Sequence, residues 1–150
     1  SEPTQIIDLA ATAYDAAGAS YPADFNGHEI TPLEGESFLP LLEQRQWSRE
    51  QPIFVEHEGN RGVRMGDWKL VAEWDRPWEL YNMVDDRTEL NDLAESECDR
   101  VRMLEEAYNG WAGRCGVLPW PVDPNVLAKR LKGKHAHISQ HRGPLSGAMR

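Results

Sequence analysis

Between Gln51 and Tyr81, four short runs rich in β-branched and aromatic residues alternate with turn residues, and no other stretch constrains the fold as tightly. The runs are Pro52–Glu56, Arg61–Met65, Trp68–Trp74 and Trp78–Tyr81. Gly66-Asp67 is a two-residue hairpin signal, because the turns that match the twist of paired strands need a residue tolerant of positive φ. Glu58-Gly59-Asn60 and Asp75-Arg76-Pro77 read as longer turns. Loops this short leave no length for crossovers, so the strands are predicted to form an antiparallel meander. One face of such a sheet needs a cover.

The next segment supplies it. Val101, Leu104, Tyr108 and Trp111 recur at three- and four-residue spacing, Ser96 and Asp99 have the spacing of a capping box, and Gly116 with Pro119 marks the stop. Burial of Leu104, Tyr108 and Trp111 contributes about 1.5–3 kcal/mol each before packing losses, enough to hold the helix on the sheet. The predicted class is α+β, a small four-stranded antiparallel sheet covered by one C-terminal helix and preceded by a short helix and a long connection.

That short helix is expected from Thr4 to Ala17, where Ile6, Leu9, Ala10, Ala13 and Ala17 form an apolar stripe, Thr4 is the candidate N-cap and Gly18 follows the end. The stripe is predicted to lie against another helix or sheet. From Ser20 to Arg49 the chain is punctuated by Pro22, Gly27, Pro32, Gly35 and Pro40, which reads as an ordered crossover between two units. The chain thus divides into 1–49 (helix 4–17 plus crossover), 50–120 (sheet and helix) and 121–150, a basic extended tail.

Charge sharpens that last boundary. Residues 1–120 hold 10 Lys/Arg against 24 Asp/Glu, and residues 121–150 hold 6 against 1. An acidic body argues against a nucleic-acid partner, since phosphate neutralisation requires clustered cations. The tail is read as a solvated arm able to lie along that body. No apolar run reaches the roughly 20 residues that span a bilayer. The first residues, Ser1-Glu2-Pro3-Thr4, show neither an initiating Met nor an export signal, as expected of a piece of a longer polypeptide.

Chemistry-bearing residues are few. Glu56-His57-Glu58-Gly59-Asn60-Arg61 gathers an imidazole, carboxylates, an amide and a guanidinium at one turn. Two readings stand: a substrate contact in which His57 and Asn60 hydrogen-bond a sugar-like ligand while Arg61 pairs an anionic oxygen, or a polar turn whose side chains satisfy each other and solvent. Of this group Glu56, His57, Asn60 and Arg61 are the candidate substrate-binding residues. His135, His137 and His141 have metal-like spacing, but neighbouring Lys129, Arg130, Lys132, Lys134 and Arg142 would repel a cation. Asp85-Asp86 reads as a turn. Cys98 and Cys115 fit neither a zinc pair nor a redox Cys-x-x-Cys, and a straight helix between them would keep them apart. The chain holds no Gly-rich phosphate loop, Gly-x-Ser-x-Gly elbow or His-Glu-x-x-His. No catalytic or metal-ligating residue is assigned.

Four stretches together resemble the C-terminal end of the type I, formylglycine-dependent arylsulfatases of the alkaline phosphatase superfamily. Ile6-Ile7-Asp8-Leu9-Ala10-Ala11-Thr12, followed by Ala17-Gly18-Ala19, is similar to a family helix that reads Asp-(apolar)-x-Pro-Thr before an Ala-Gly. Pro32-Leu33-Glu34-Gly35-Glu36-Ser37-Phe38-Leu39-Pro40 resembles a Gly-x-Ser-Leu connection. The stretch from Glu56 to Arg64, with Gly66-Asp67-Trp68-Lys69-Leu70-Val71, resembles the central hairpin of the family's small subdomain, and Trp78-Glu79-Leu80-Tyr81-Asn82 through Asn91-Asp92-Leu93-Ala94 its last strand and the turn into its terminal helix. The likeness covers about residues 5–120, and departs where Ala11 replaces the family's Pro.

This resemblance implies that residues 1–49 end a large sulfatase domain and 50–120 form the C-terminal subdomain. It implies a parent that hydrolyses sulfate esters of a small molecule or polysaccharide and uses calcium and formylglycine; the compartment stays open, a periplasmic or secreted location being favoured over a cytoplasmic one. The Cys/Ser-x-Pro-x-Arg nucleophile motif and the calcium ligands would lie upstream in the missing N-terminal domain, since neither Cys98 nor Cys115 fits the motif. The chain alone is then expected to be inactive, a wall of the substrate pocket. Two alternatives remain: a phosphonate or phosphate monoester hydrolase of the same superfamily, and a non-catalytic carbohydrate-binding or interaction module using Trp47, Trp74, Trp78 and Trp120 as stacking surfaces.

Overall fold

Four strands, β3 (Ile53–His57), β4 (Asn60–Met65), β5 (Trp68–Ala72) and β6 (Glu79–Asn82), pair in the order of the sequence as an antiparallel meander. The computed structural model describes residues 2–129 and residue 132. Register follows from the turns. Glu58 and Gly59 both have positive φ, +53° and +83°, so β3 and β4 close over two residues and His57 pairs with Asn60. That loop is one residue shorter than expected, because Asn60 joins the strand.

The register aligns Phe54, Val63, Leu70 and Leu80 across all four strands on one face. Helix α3 (Cys98–Cys115) lies on that face as predicted, and Leu70, Leu80 and Leu104 are fully buried in the resulting core, with Val63 and Tyr108 beside them. Aromatic contacts lock the docking: Phe54 stacks on Trp111 at 5.1 Å, Trp78 meets Tyr108 edge-on at 5.5 Å, and the Arg100 guanidinium sits 3.9 Å from the centre of the Trp68 ring. Gly116 ends α3 at φ +68°, with the Val117 N–H donating to the Ala112 carbonyl, a left-handed C-cap.

The capping box does not form. Ser96 belongs to a preceding turn, where its hydroxyl donates to the Leu93 carbonyl, Glu97 occupies the N-cap without a side-chain cap, and Asp99 pairs with Arg102. Cys98 and Cys115 are exposed free thiols at opposite ends of an 18-residue helix. At 1.5 Å rise per residue that is about 27 Å, far beyond disulfide reach.

The N-terminal helix, α1 (Asp8–Ala16), starts four residues later than its apolar pattern predicted, because the Asp8 carboxylate takes the Gln5 N–H at 2.6 Å and holds residues 5–8 in a turn. It runs unbroken through Ala11. The buried face is not the apolar stripe: Ile6 is 80% and Leu9 54% exposed, whereas Asp8 and Thr12 are buried. Asp8 accepts a double hydrogen bond from Arg49, at 2.7 and 3.0 Å, and the Glu36 N–H at 2.9 Å, while the Thr12 hydroxyl donates to the Asp8 carbonyl and accepts the Phe38 N–H. A buried carboxylate is tolerated only with such a set of partners.

The crossover is ordered. It carries a two-residue-strand hairpin, β1 (Asp24–Phe25) with β2 (His28–Glu29), and one helical turn, α2 (Leu39–Leu42). It passes so close to α1 that a Cβ on Gly35 would lie 2.3 Å from the Ile7 carbonyl oxygen. Gly35→Ala is therefore expected to push the crossover off α1, read as faster amide exchange at Glu36 and Phe38 with β4 and β5 unchanged; undisturbed exchange at both amides would contradict the close approach. The Glu36 carboxylate accepts the backbone N–H groups of Glu50 and Gln51, and Arg114 of α3 forms a two-bond pair with Glu34. That guanidinium holds the Glu34 carboxyl below its ordinary range. Asp85 and Asp86 lie in a turn as read, Asp86 accepting the N–H groups of Leu90 and Asn91. Residues 124–129 are helical where an extended tail was expected. His135, His137 and His141 fall outside the described residues.

Candidate functional site

Strand alternation sorts the Glu56–Arg61 cluster onto two faces. Glu56 and Arg61 are cross-strand partners one step along from Phe54 and Val63, so both point to the α3 side; His57 and Asn60 pair on the opposite side. All four nevertheless border one hollow of about 490 Å³ at the sheet edge, while Glu56 and Arg61 also line a second cleft on the helix side.

On the helix side a cleft of about 550 Å³ opens between the β3–β4 turn, the loop after β5 and the C-terminal end of α3. The Arg61 guanidinium lies 4.5 Å from the centre of the Trp78 ring and donates to the Arg76 carbonyl at 3.3 Å. Glu56 accepts the Gly59 N–H at 2.9 Å, which stabilises the turn beneath it. Tyr108, Trp74, Arg76 and Trp120 complete the lining. Burial pushes the Tyr108 phenol above its ordinary pKa, Glu56 adds to the rise and Arg61 opposes it, so the hydroxyl stays a donor across the physiological range.

On the other face, His57 is exposed beside the hollow of about 490 Å³, whose lining also includes Val55, Val71, Glu73, Glu79 and Glu89. Tyr81 donates to Glu79 at 2.7 Å and its pKa is pushed up to about 12, first by that bond and then by burial. Carboxylates crowd this surface, which disfavours an anionic group next to His57. The Asn60 side chain ties hairpin turn to loop: its amide oxygen accepts the Trp74 N–H at 3.1 Å and its amide N–H donates to the His57 carbonyl at 3.0 Å.

Glu56 and Arg61, expected at a polar turn, line this cleft; Trp74 and Trp120, expected as stacking surfaces only in the binding-module reading, line it with Tyr108 and Arg76, which sequence reasoning did not assign to a site. Tyr108 was read as core, which it also is. The signal that was there lies in Gly59: a Cβ on it would lie 2.5 Å from Trp74 Cδ1 and 2.9 Å from Trp120 Cβ, so a glycine in this turn reports a neighbour pressed against it. Trp78 packs on the core and its indole N–H donates to Glu105, and Trp47 is half-buried; neither is an open stacking surface.

Among the described residues no three His, Cys, Asp or Glu side chains converge as a metal site, and no helix is long and apolar enough to cross a membrane.

No protein-family model matches the chain. An uncharacterized protein of Haemophilus influenzae is 31% identical over 108 residues, which are 66% of this chain and 52% of that protein. The chain thus spans about half the length of the curated relative it matches. Among solved structures, Ps i-CgsB in complex with k-i-k-neocarrahexaose superposes with a TM-score of 0.59 at 25% identity over 75% of this chain and 25% of that one. A protein from work on the metabolism of multiple glycosaminoglycans by Bacteroides thetaiotaomicron gives 0.56 at 22% identity, covering 69% and 24%. These neighbours are sulfatase-related proteins, and the α+β arrangement of a four-stranded antiparallel sheet with helices is common to them and this chain. The chain has the fold of a portion, about a quarter, of sulfatase-related proteins.

Proposed function

We propose that the chain is the C-terminal portion of a type I sulfatase that hydrolyses sulfate esters of a sulfated carbohydrate, with the large N-terminal domain encoded outside these residues. The observation that carries this reading is the shared fold with Ps i-CgsB at 25% identity across three quarters of the chain. Supporting it, Asp8, Thr12, Gly35 and Ser37, drawn from two of the stretches that resemble the family, meet in space: the Ser37 hydroxyl donates to Asp15 of α1 at 2.6 Å beside the Asp8–Arg49 pair.

Neither calcium nor formylglycine fits the residues in hand. No convergent carboxylate group is found among the described residues, and both cysteines lie outside a Cys-x-Pro-x-Arg context. In this reading both belong to the missing domain, and no chemical step is assigned to this chain. Its part is a wall: Arg61, held against Trp78, presents a fixed guanidinium beside Glu56, and His57 borders the other face of the same turn.

The test is an assay of the purified chain with p-nitrophenyl sulfate and p-nitrophenyl phosphate, with and without calcium. No turnover of either is expected. A longer polypeptide read in frame upstream should carry Cys/Ser-x-Pro-x-Arg and cleave the sulfate in preference to the phosphate. Calcium-dependent turnover by the chain alone, or an upstream frame without the motif, would overturn the reading; a preference for phosphate would move it to the phosphoester hydrolases of the superfamily.

A further inference from the structure

The helix-side cleft has aromatic walls for which the hydrolase reading has no use. Trp74 is 50% and Trp120 40% exposed, an unusual state for two neighbouring indoles that a core would otherwise bury. Trp74 is also held in place. Its indole N–H donates to the Trp120 backbone carbonyl at 3.1 Å, its backbone N–H to Asn60 at 3.1 Å, and Gly59 leaves no space behind its ring or beside the Trp120 Cβ. Fixed aromatic faces bind at low entropic cost, because little freedom is lost when a ligand arrives.

Around the rings stand Arg61 and Arg76, Glu56 and Asp75, and the hydroxyl of Tyr108. The two cations and two anions balance locally, and the body around them is acidic, with 24 Asp/Glu against 10 Lys/Arg in residues 1–120. A sulfated ligand would have to approach the Glu56 and Asp75 carboxylates within a negative field. Arg61 is already engaged by the Trp78 face and the Arg76 carbonyl. An uncharged ligand rich in hydroxyls meets no such opposition: its O–H groups donate to the carboxylates and accept from guanidinium and phenol, and its apolar ring faces lie on indole.

We propose that this cleft is a binding site for neutral sugar units, with Trp74 and Trp120 as stacking faces and Asp75, Glu56 and Arg76 as hydroxyl partners. It adjoins the Arg61–Glu56 wall of the proposed hydrolase pocket and shares Glu56 with it, but stands whether or not the hydrolase reading does.

The test is a titration of the whole chain, followed by tryptophan fluorescence and calorimetry, with neoagarohexaose, cellohexaose and xylohexaose, and with sulfated neocarrahexaose as the charged counterpart, at low and high salt. At least one neutral hexasaccharide should bind with an affinity that salt does not change. Trp120→Ala should weaken it about tenfold or more, equivalent to about 1.4 kcal/mol, Trp120→Phe should retain most of it, and exposed Arg76→Ala should weaken it without changing the melting temperature. Failure of all three neutral ligands, tighter and salt-dependent binding of the sulfated one, or unchanged affinity in both Trp120→Ala and Arg76→Ala would overturn the proposal. None of these outcomes bears on sulfatase activity of the longer polypeptide.

Discussion

Asp8→Ala is expected to destabilise the N-terminal part of the protein by about 3–5 kcal/mol, the usual cost of stripping one partner from a buried ion pair. Asp8 is fully buried and Arg49 nearly so, with 5% of its side chain exposed. Removal of the carboxylate leaves a nearly buried guanidinium with only the Glu36 carboxylate, 4.0 Å away, as counter-charge, and the Arg49 Nε already has no hydrogen-bond partner there. It also releases the backbone N–H groups of Gln5 and Glu36. The loss should appear as collapse of amide protection from Gln5 to Gln51 while β4 and β5 keep theirs. Because the penalty comes from an uncompensated charge, the double variant Asp8→Ala with Arg49→Met should recover part of it, a coupling that a double-mutant cycle reads directly. A single-variant loss below about 1 kcal/mol, or no recovery in the double, would show that the pair is not the clamp described.

Leu104→Ala is the second large effect. Leu104 is fully buried where α3 meets Leu70 and Leu80, so the substitution removes apolar contact and leaves a cavity that the flanking Trp78, Trp111 and Tyr108 rings cannot fill without breaking their own contacts. Buried Leu→Ala changes cost about 2–5 kcal/mol, and the rigid aromatic surroundings put this one toward the upper end. Urea unfolding with the tryptophan near-ultraviolet dichroism as probe measures it. Leu104→Met, which nearly conserves volume, should cost less than about 1.5 kcal/mol. Equal losses for the two variants would mean that shape, not burial, fixes the helix on the sheet.

Much of the sheet was legible in the order of residues. Turns of two residues at Gly66-Asp67 allow only an antiparallel neighbour, and the 3–4 spacing of Val101, Leu104, Tyr108 and Trp111 can bury its stripe only against the adjacent sheet. The capping box at Ser96 misled because a cap is decided by which turn the hydroxyl enters, and here it turns back to Leu93. At α1 the apolar stripe misled in the opposite sense. Periodicity ranks residues by hydrophobicity, so it put Leu9 inward and Asp8 outward; a guanidinium 41 residues away reversed that order.

The candidate site shows the same division. Glu56 to Arg61 were legible as a polar turn, yet the pleat that separates Glu56 and Arg61 from His57 and Asn60 depends on where the two-residue turn falls, and a one-residue shift would exchange the faces. Local chemistry, read along the chain, determined the meander, its covering helix and the presence of a polar hairpin tip. Which carboxylate is buried, which tryptophans remain open and which side of the tip faces a cleft were decided only by tertiary structure, because each depends on groups distant in sequence: Arg49 for Asp8, and Trp120 for Trp74 and Gly59. Hydrogen bonds and steric exclusion act across space, and periodicity carries no record of partners that lie outside its window.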